Sequence, residues 1–462
     1  YHTKVPHKAI MRYILHYTEP GDIVLDGFCG TGMTGVAAQL CGDKKTVEGL
    51  GYTVQKDGTV LDENGRVISR LGVRKSVLVD LSPAATFIAY NYNIPVDAQA
   101  FEREAMCIQK EVEKECGWVY ETWHPHCDDP NRMKGSINFT IWSDVLICPN
   151  CSREMVFWDV AVDQKAGQVR EDWNCPHCDA RLSKSPKKGS NAIRVDRAFE
   201  TIFDPTLSQN KRKVKQTPVL INYSLGKKRH EKLPDAEDRM LIAQIDTKSI
   251  PYFYPIEPMM FIGENWGDTW RAGVHAGLTH VHDFFTYQNL WVLATLWKRI
   301  NEITDHRIRA LLKLAFTAII PYASKLRRFR ADKKGGGPLS GTLYVASIIT
   351  PPNVILSFAR NVQTIKEAIL LTSKFNRQLL LETQSASSVQ FQDDSVDYVF
   401  IDPPFGENLM YSELNFIWEA WLRVFTNNHS EAIVNKAQHK GLIEYRVLME
   451  ACFREFFRTL KS

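Results

Sequence analysis

A β-branched tripeptide that runs straight into a glycine turn constrains this chain more than any other stretch. Ile23-Val24-Leu25 reads as a short strand, and Asp26-Gly27-Phe28-Cys29-Gly30-Thr31-Gly32 follows it as a turn with three glycines. Met33 to Leu40 then reads as a helix. Strand, glycine turn and helix in that order open a parallel βαβ unit. The glycines let the backbone approach a ligand where a Cβ would collide, and the helix N-terminus behind them favours the negative end of a bound cofactor. A tight connection without any ligand has the same local pattern, so this motif alone leaves both readings open. Upstream, Ile10, Met11, Ile14 and Leu15 recur near helical spacing, and Pro20-Gly21-Asp22 ends that segment with turn chemistry.

The next strand is Ser76 to Leu81, a near-continuous apolar run suited to a buried parallel sheet. It delivers Asp80 at its end. In strand-turn-helix-strand units that bind adenosine, an acid there accepts from the ribose hydroxyls; the alternative is a cap on the helix starting near Ser82-Pro83. Between the two strands, Tyr52 to Arg70 alternates apolar and polar residues around Asp57-Gly58 and Asn64-Gly65, which predicts a β-hairpin insertion.

Far downstream, Asp397-Tyr398-Val399-Phe400-Ile401 is another buried-strand run, and it ends in Asp402-Pro403-Pro404-Phe405. These residue types suit work on an exocyclic amine. Conjugation with its ring makes such an amine a poor nucleophile, so it needs acceptors that hold its two hydrogens and turn the lone pair toward a methyl group. The Asp402 carboxylate can be one acceptor, and the Pro403 carbonyl another on a backbone stiffened by two prolines. Pro404 is the second of those prolines, and Phe405 adds a stacking face for a base flipped out of a duplex. As a tetrapeptide the motif could also simply close a strand. Three ligand-type features at the ends of three expected strands weigh against that reading.

LDGFCGTGMTG from Leu25 to Gly35 and IDPPFGENLMYSELNFIWEAWL from Ile401 to Leu422 together resemble the amino-methyltransferases of DNA, which make N6-methyladenine or N4-methylcytosine. The likeness covers about residues 1 to 100 and 375 to 462. It implies a Rossmann-like class I methyltransferase fold with a mostly parallel sheet, and S-adenosylmethionine as cofactor. By the same likeness Asp26, Phe28, Gly30, Gly32 and Thr34 line the cofactor and Asp80 takes the ribose. The leading Tyr1-His2-Thr3-Lys4-Val5-Pro6 resembles the family's extra cofactor motif, which brings in Thr3 and Lys4. Asp402 and Phe405 lean toward adenine N6 rather than cytosine N4. Two departures stand out: Gly27 replaces the usual proline, and no acid sits at the Thr383-Gln384-Ser385-Ala386 strand end. RNA base methylation, cytosine N4 methylation and a non-catalytic zinc-ribbon nucleic-acid binder remain as alternatives.

Residues 101–374 exceed what any crossover helix requires. The resemblance implies a target-recognition insertion of α+β character. Its clearest element is Cys148-Pro149-Asn150-Cys151 with Cys175-Pro176-His177-Cys178, whose spacing suits a structural four-thiolate zinc ribbon at about 145–182. Cys116, His124, His126 and Cys127 are irregularly spaced and read as ordinary loop residues. From Leu207 to Leu233 eight cations, including Lys211, Arg212, Lys213, Lys227, Lys228 and Arg229, face the single acid Glu231 and suggest a hairpin with basic ends. A second basic cluster holds Arg327, Arg328 and Arg330 and runs through Lys333 and Lys334 into a glycine loop. Such runs are either solvated surface or phosphate contacts. Gln288 to Ile300 and Arg307 to Ile320 read as two packed helices.

Composition excludes little else. A formal net charge of +4 identifies no partner, and no run approaches the ~18 apolar residues of a spanning helix. Of ten cysteines, four sit in the CxxC pairs, and the N-terminus lacks a signal pattern. A reducing, prokaryotic cytoplasm near the nucleoid is the expected setting, with duplex DNA as partner and room for partner subunits of a restriction or phage-defence system. The chain opens on Tyr1 and stops near an amphipathic helix at Ser462, so it reads as a fragment, and the family resemblance implies that a longer parent would supply two more strands.

Overall fold

The computed structural model describes residues 5–259, 276–332, 336–372, 378–407 and 409–462. The chain divides into two compact units. The first comprises Tyr1–Glu104, Asp305–Ala315 and Val362–Ser462, and the second Ala105–Thr304 and Phe316–Asn361. Asp305–Ala315, expected within the insertion, clusters with the first unit, and its ties explain why. The Arg307 guanidinium donates to Asn91 Oδ1 at 2.7 Å and to the Asn91 carbonyl at 3.1 Å, and it lies 4.9 Å over the Tyr90 ring.

The first unit is built on four parallel strands in the order Leu379–Thr383, Lys75–Asp80, Ile23–Asp26, Tyr398–Val399. Numbered along the chain this is 3-2-1-4, so strand order reverses beside Ile23–Asp26. Ligands of open parallel sheets bind in the crevice at such a reversal, outside the carboxyl ends of the strands. A parallel bridge from Val396 to Leu460 extends the same order by one more position.

Alternate residues of Ile23–Asp26 serve opposite faces of the sheet. Val24 packs with Ile10, Met11, Ile14 and Leu15 of the helix His7–Tyr17 and with Met33, Val36 and Ala37 of the helix Met33–Leu40. Leu25 packs instead with Val79, Val396, Cys452 and Phe456, the last two from the helix Leu442–Thr459. Both faces are therefore covered, which is why these strands read as continuous apolar runs.

The strand expected over residues 397–401 shortens to Tyr398–Val399. Asp397 and Phe400 amides still donate to the Ile23 and Leu25 carbonyls at 3.0 Å. Beyond them Pro403 and Pro404 have no N–H, so the ladder stops. The expected hairpin over Tyr52 to Arg70 is a three-stranded meander, Thr53–Val54, Thr59–Leu61 and Val67–Arg70, because both glycine turns form: Gly58 and Gly65 adopt φ of 86° and 75°. Arg74, wholly buried beside it, donates to the Thr18 hydroxyl and carbonyl, the Ser69 hydroxyl and the Gly72 carbonyl at 2.7–3.0 Å.

In the second unit the strand Met133–Ile147 is the spine of a seven-stranded sheet and pairs antiparallel with Gln216–Leu225. The single hairpin expected over residues 207–233 is two. Phe199–Asp204 pairs with Gln209–Val214, and Gln216–Leu225 with Lys228–Lys232. The helix Tyr287–Glu302 buries Leu290, Leu293, Leu296 and Trp297. Among the described residues no helix is long and apolar enough to cross a membrane.

Gly27 departs from the expected proline for a packing reason. A Cβ there would fall 2.3 Å from Cε1 and Cζ of Phe456, whose ring meets Phe28 edge-on at 5.7 Å. Gly27→Ala should therefore destabilise by about 1–3 kcal/mol through overpacking. Denaturant unfolding of Gly27→Ala, Phe456→Ala and the double variant checks this: the double variant should be more stable than the sum of the single losses.

Candidate active site

The glycine turn gains its shape from two acids and two left-handed glycines. Gly30 and Gly32 have φ of 48° and 73°, a region open to glycine and costly for most residues. A Cβ on Gly32 would also meet Ala89 Cβ at 2.6 Å, so the turn lies hard against the helix Pro83–Asn93. Asn93 closes that contact by donating to the Gly32 carbonyl at 2.9 Å.

Asp26 accepts from the Phe28 amide at 3.1 Å and from the Thr34 hydroxyl. Asp80 accepts from the Gly30 amide at 2.8 Å with one oxygen and from the Ser82 amide at 2.9 Å with the other. Asp80 is thus a brace between the two loops, while each oxygen keeps a further lone pair for a ligand. Capping of the helix falls to Ser82, whose hydroxyl accepts from the Ala85 amide.

Asp26, Phe28, Gly30, Thr34 and Asp80 all line one cleft, and Asp402 and Pro404, just past the carboxyl end of the neighbouring strand Tyr398–Val399, line it too. Gly32 is not in its lining. Thr3 and Lys4 lie outside the described residues; Val5 and Ile10 line the cleft next to them in sequence. Ser385 and Ala386 form the wall where the sequence offered no acid.

Burial pushes the Asp26 carboxyl up to about 7, the Asp80 and Asp402 charges add to this, and the Thr34 and Phe28 hydrogen bonds oppose it. Burial also raises Asp80, to about 6, against the pull of the Ser82, Gly30 and Leu81 amides. With Asp402 and Glu431, four acids line one partly dry cleft, which favours a cationic ligand.

Asp402 is exposed at the mouth of the cleft, and among the described residues no group donates to its carboxylate. The neighbouring carbonyls differ. Pro404 O accepts from the Tyr445 hydroxyl at 2.9 Å, whereas the Pro403 carbonyl has no donor among the described residues. Phe405 is 62% exposed beside the cleft rather than in its lining, so its ring face is open.

Sequence reasoning missed several residues that complete this cleft. Glu431 accepts from the Ser412 amide and hydroxyl at 3.0 and 2.6 Å, and it lines the cleft with Ser412, Tyr411 and Thr426. Buried Glu419 takes the Thr426 amide at 2.8 Å and the Ser82 hydroxyl at 3.0 Å. Ser412 and Glu419 stand within the family-like motif from Ile401 to Leu422, but nothing local marks Glu431 or Tyr445.

In the second unit Cys148, Cys151, Cys175 and Cys178 converge, with all four sulfurs within 4.8 Å of one another. The pairs Cys148–Cys178 and Cys151–Cys175 stand 3.7 and 3.8 Å apart. A tetrahedron of thiolates ~2.3 Å from zinc has edges of ~3.8 Å. Left-handed Ser152 and Asp179 shape the two knuckles alike, and their amides donate to the Cys148 and Cys175 carbonyls. The cluster could hold zinc. Cys116 is engaged with Thr295, and His124 with the Tyr223 hydroxyl.

The basic residues separate by partner. Lys211 is buried with its ammonium between Asp204 and Asp283, the two acids that with His282 form the other convergent acid and histidine group among the described residues. Its charge is taken up by these two carboxylates, which corrects its reading as a surface cation. Lys213 lies 3.5 Å from Glu200, and the Arg212 guanidinium covers the Phe199 ring at 4.3 Å. Arg327 and Arg328 are half-buried, with Arg327 donating to the Gly336 carbonyl, and Arg330 pairs with Asp332 at 2.6 Å. Lys333 and Lys334 lie outside the described residues. Lys227, Lys228 and Arg229 are exposed at the tip of their hairpin.

The glycine turn and the Asp402–Phe405 turn flank the reversal of a parallel sheet, the place where ligands of open parallel sheets bind. Residues 1–91 match the family model described as DNA methylase. No curated protein and no solved structure matches the chain. The match spans both first strands, the glycine turn and Asp80, and it supports the N6-adenine/N4-cytosine DNA methyltransferase family. S-adenosylmethionine is the cofactor expected of such a methyltransferase, and its sulfonium suits the acid-lined cleft.

That charge gives a pH test. Asp26 and Asp80 are raised to about 7 and about 6, so they hold protons below those values and become anionic above them. A cation binds the anionic form better, so binding releases protons and affinity for S-adenosylmethionine should rise through pH 6 to 7. S-adenosylhomocysteine, one positive charge poorer, should show a shallower rise. Calorimetry across this range checks both slopes.

Proposed function

We propose that the first unit methylates the N6 amine of adenine in DNA and that the second unit, braced by a zinc ribbon, recognises the target. The observation that carries this reading is an Asp402 carboxylate at the cleft mouth followed in the chain by the Pro403 carbonyl, each without a donor among the described residues. Two acceptors on one stiff turn match the two hydrogens of an exocyclic amine. Phe405, with its face open, suits a base stacked after flipping.

In this reading Asp402 and the Pro403 carbonyl hold the amine and turn its lone pair out of conjugation. Bound S-adenosylmethionine supplies an electrophilic methyl group. Transfer would join that methyl carbon to the amine nitrogen, with the electron pair of the broken S–C bond left on the cofactor's sulfur. The nitrogen becomes cationic, and Asp402 stabilises that charge before the amine proton departs to the carboxylate or to water. Catalysis rests on orientation and charge stabilisation, with no covalent intermediate on the chain. Adenine is favoured over cytosine by the Asp402 and Phe405 pattern of the family resemblance. Asp26, Asp80, Gly30, Phe28 and Thr34 would hold the cofactor.

Asp402→Ala should reduce methyl transfer to duplex DNA by at least about a hundredfold while leaving cofactor affinity within about threefold. Labelled-methyl assays on DNA and RNA, with sequencing of methylated positions, check this. Labelling of RNA alone, or retained turnover in the variant, overturns the reading. The exposed hairpin tip gives a separate expectation for the recognition unit. Replacing Lys227, Lys228 and Arg229 by alanine should lower the slope of log affinity against log salt by about 2–3, as three lost phosphate contacts would.

A further inference from the structure

We propose that Tyr445 is a positioning residue for methyl transfer: its hydroxyl occupies the Pro404 carbonyl, so that the acceptor turn offers the amine one register only. The inference rests on the reading of Asp402–Phe405 as that turn, and it adds a residue from outside both sequence motifs.

Three observations support it. The Tyr445 hydroxyl donates to Pro404 O at 2.9 Å. The Tyr445 ring lies against Gly406, where a Cβ would stand 3.2 Å from Cζ, and Gly406 holds a left-handed φ of 82°. The Gly406 carbonyl in turn accepts from the Val434 amide at 2.8 Å. The turn is thus gripped from two directions immediately after its second proline.

Tyr445 can impose a position because its own helix is anchored. At the start of Leu442–Thr459, the Glu444 carboxylate accepts from the Gly441 amide at 2.8 Å. At the other end Phe456 is buried under the sheet, and Arg458 donates to the Phe391 and Val389 carbonyls at 2.8 and 3.0 Å. A ring held by such a helix moves little.

The chemical consequence follows from a count of acceptors. Pro403 and Pro404 present two amide carbonyls in succession, the first of them tertiary because Pro404 follows it, and both are strong acceptors. Left open, they let an amine bind with Asp402 and either carbonyl, and in one of these poses the lone pair points away from the methyl group. A phenol on Pro404 leaves Asp402 and Pro403. The grip also keeps the turn ordered before substrate arrives, which lowers the cost of reaching a reactive pose.

Tyr445→Phe removes one oxygen and keeps the ring, so the packing on Gly406 survives. The variant should keep its melting temperature to within a few degrees and its S-adenosylmethionine affinity. Its kcat on DNA should fall about tenfold, the scale of one neutral hydrogen bond, with KM changed by no more than about twofold. A role in stability alone predicts the reverse, a lower melting temperature with unchanged kcat per folded molecule, and that result overturns the proposal. A second readout does not depend on turnover. Because prolines carry no amide hydrogen, Phe405, Gly406 and Glu407 report on the turn, and their hydrogen exchange should quicken in Tyr445→Phe. Unchanged exchange overturns the grip even where kcat falls. Should the unaltered protein methylate no DNA, the adenine-N6 function fails on its own, and exchange still decides the role of Tyr445.

Discussion

The Asp80 carboxylate is the joint on which the cleft depends. Its two oxygens accept from Gly30 in one loop and Ser82 in another, so it joins the turn after the first strand to the exit of the second. A neutral side chain of the same size would satisfy these amides less strongly, because hydrogen bonds to a charged acceptor are about twice as strong. Asp26 acts likewise on the adjacent strand, holding Phe28 and Thr34. With Asn93 on the Gly32 carbonyl, they bracket the left-handed Gly30 and Gly32 from three sides of the turn.

This arrangement places like charges close together in a region of low water content. Burial alone already resists ionisation of Asp26 and Asp80, and for Asp26 the neighbouring Asp80 charge adds to it. The protein tolerates this because backbone amides, not cations, neutralise the site. Among the described residues no lysine or arginine lines the cleft, so no fixed cation offsets its acids. The buried Arg74 shows the complementary solution elsewhere in the same unit, a positive charge dispersed over hydroxyls and carbonyls.

Sequence and structure agree best where one local constraint decides the outcome. Glycines after a β-branched run forced a turn, and Gly30 and Gly32 use the freedom that only they have. CxxC spacing announced four converging sulfurs. Local reading failed where a distant partner decides. Lys211 counted as surface charge until Asp204 and Asp283 enclosed it. One expected hairpin became two because Ser208 adopts φ of 51°, a turn that carries no glycine to advertise it. Gly27 looked like a deviation from the family pattern and is explained only by Phe456, which lies more than 400 positions away in the chain. Glu431 and Tyr445 could not be singled out, since their roles exist only once Ser412 and Pro404 are beside them.

Ile23–Asp26 pairs on one side with Lys75–Asp80 and on the other with Tyr398–Val399, and the Ile23 amide reaches Asp397 Oδ2 across 374 positions. On the ribosome the near partner emerges early, while the far one waits for the entire second unit. At roughly 5–20 residues per second that delay lasts on the order of half a minute. Throughout it the central strand of the future sheet has an open edge rich in unpaired backbone groups, the kind of edge that invites foreign strands. The helix Met33–Leu40 and the meander can form meanwhile, but neither covers that edge. Early folding of the second unit, whose contacts are its own, would bring residues 378–400 back to a waiting half-sheet instead of a free chain.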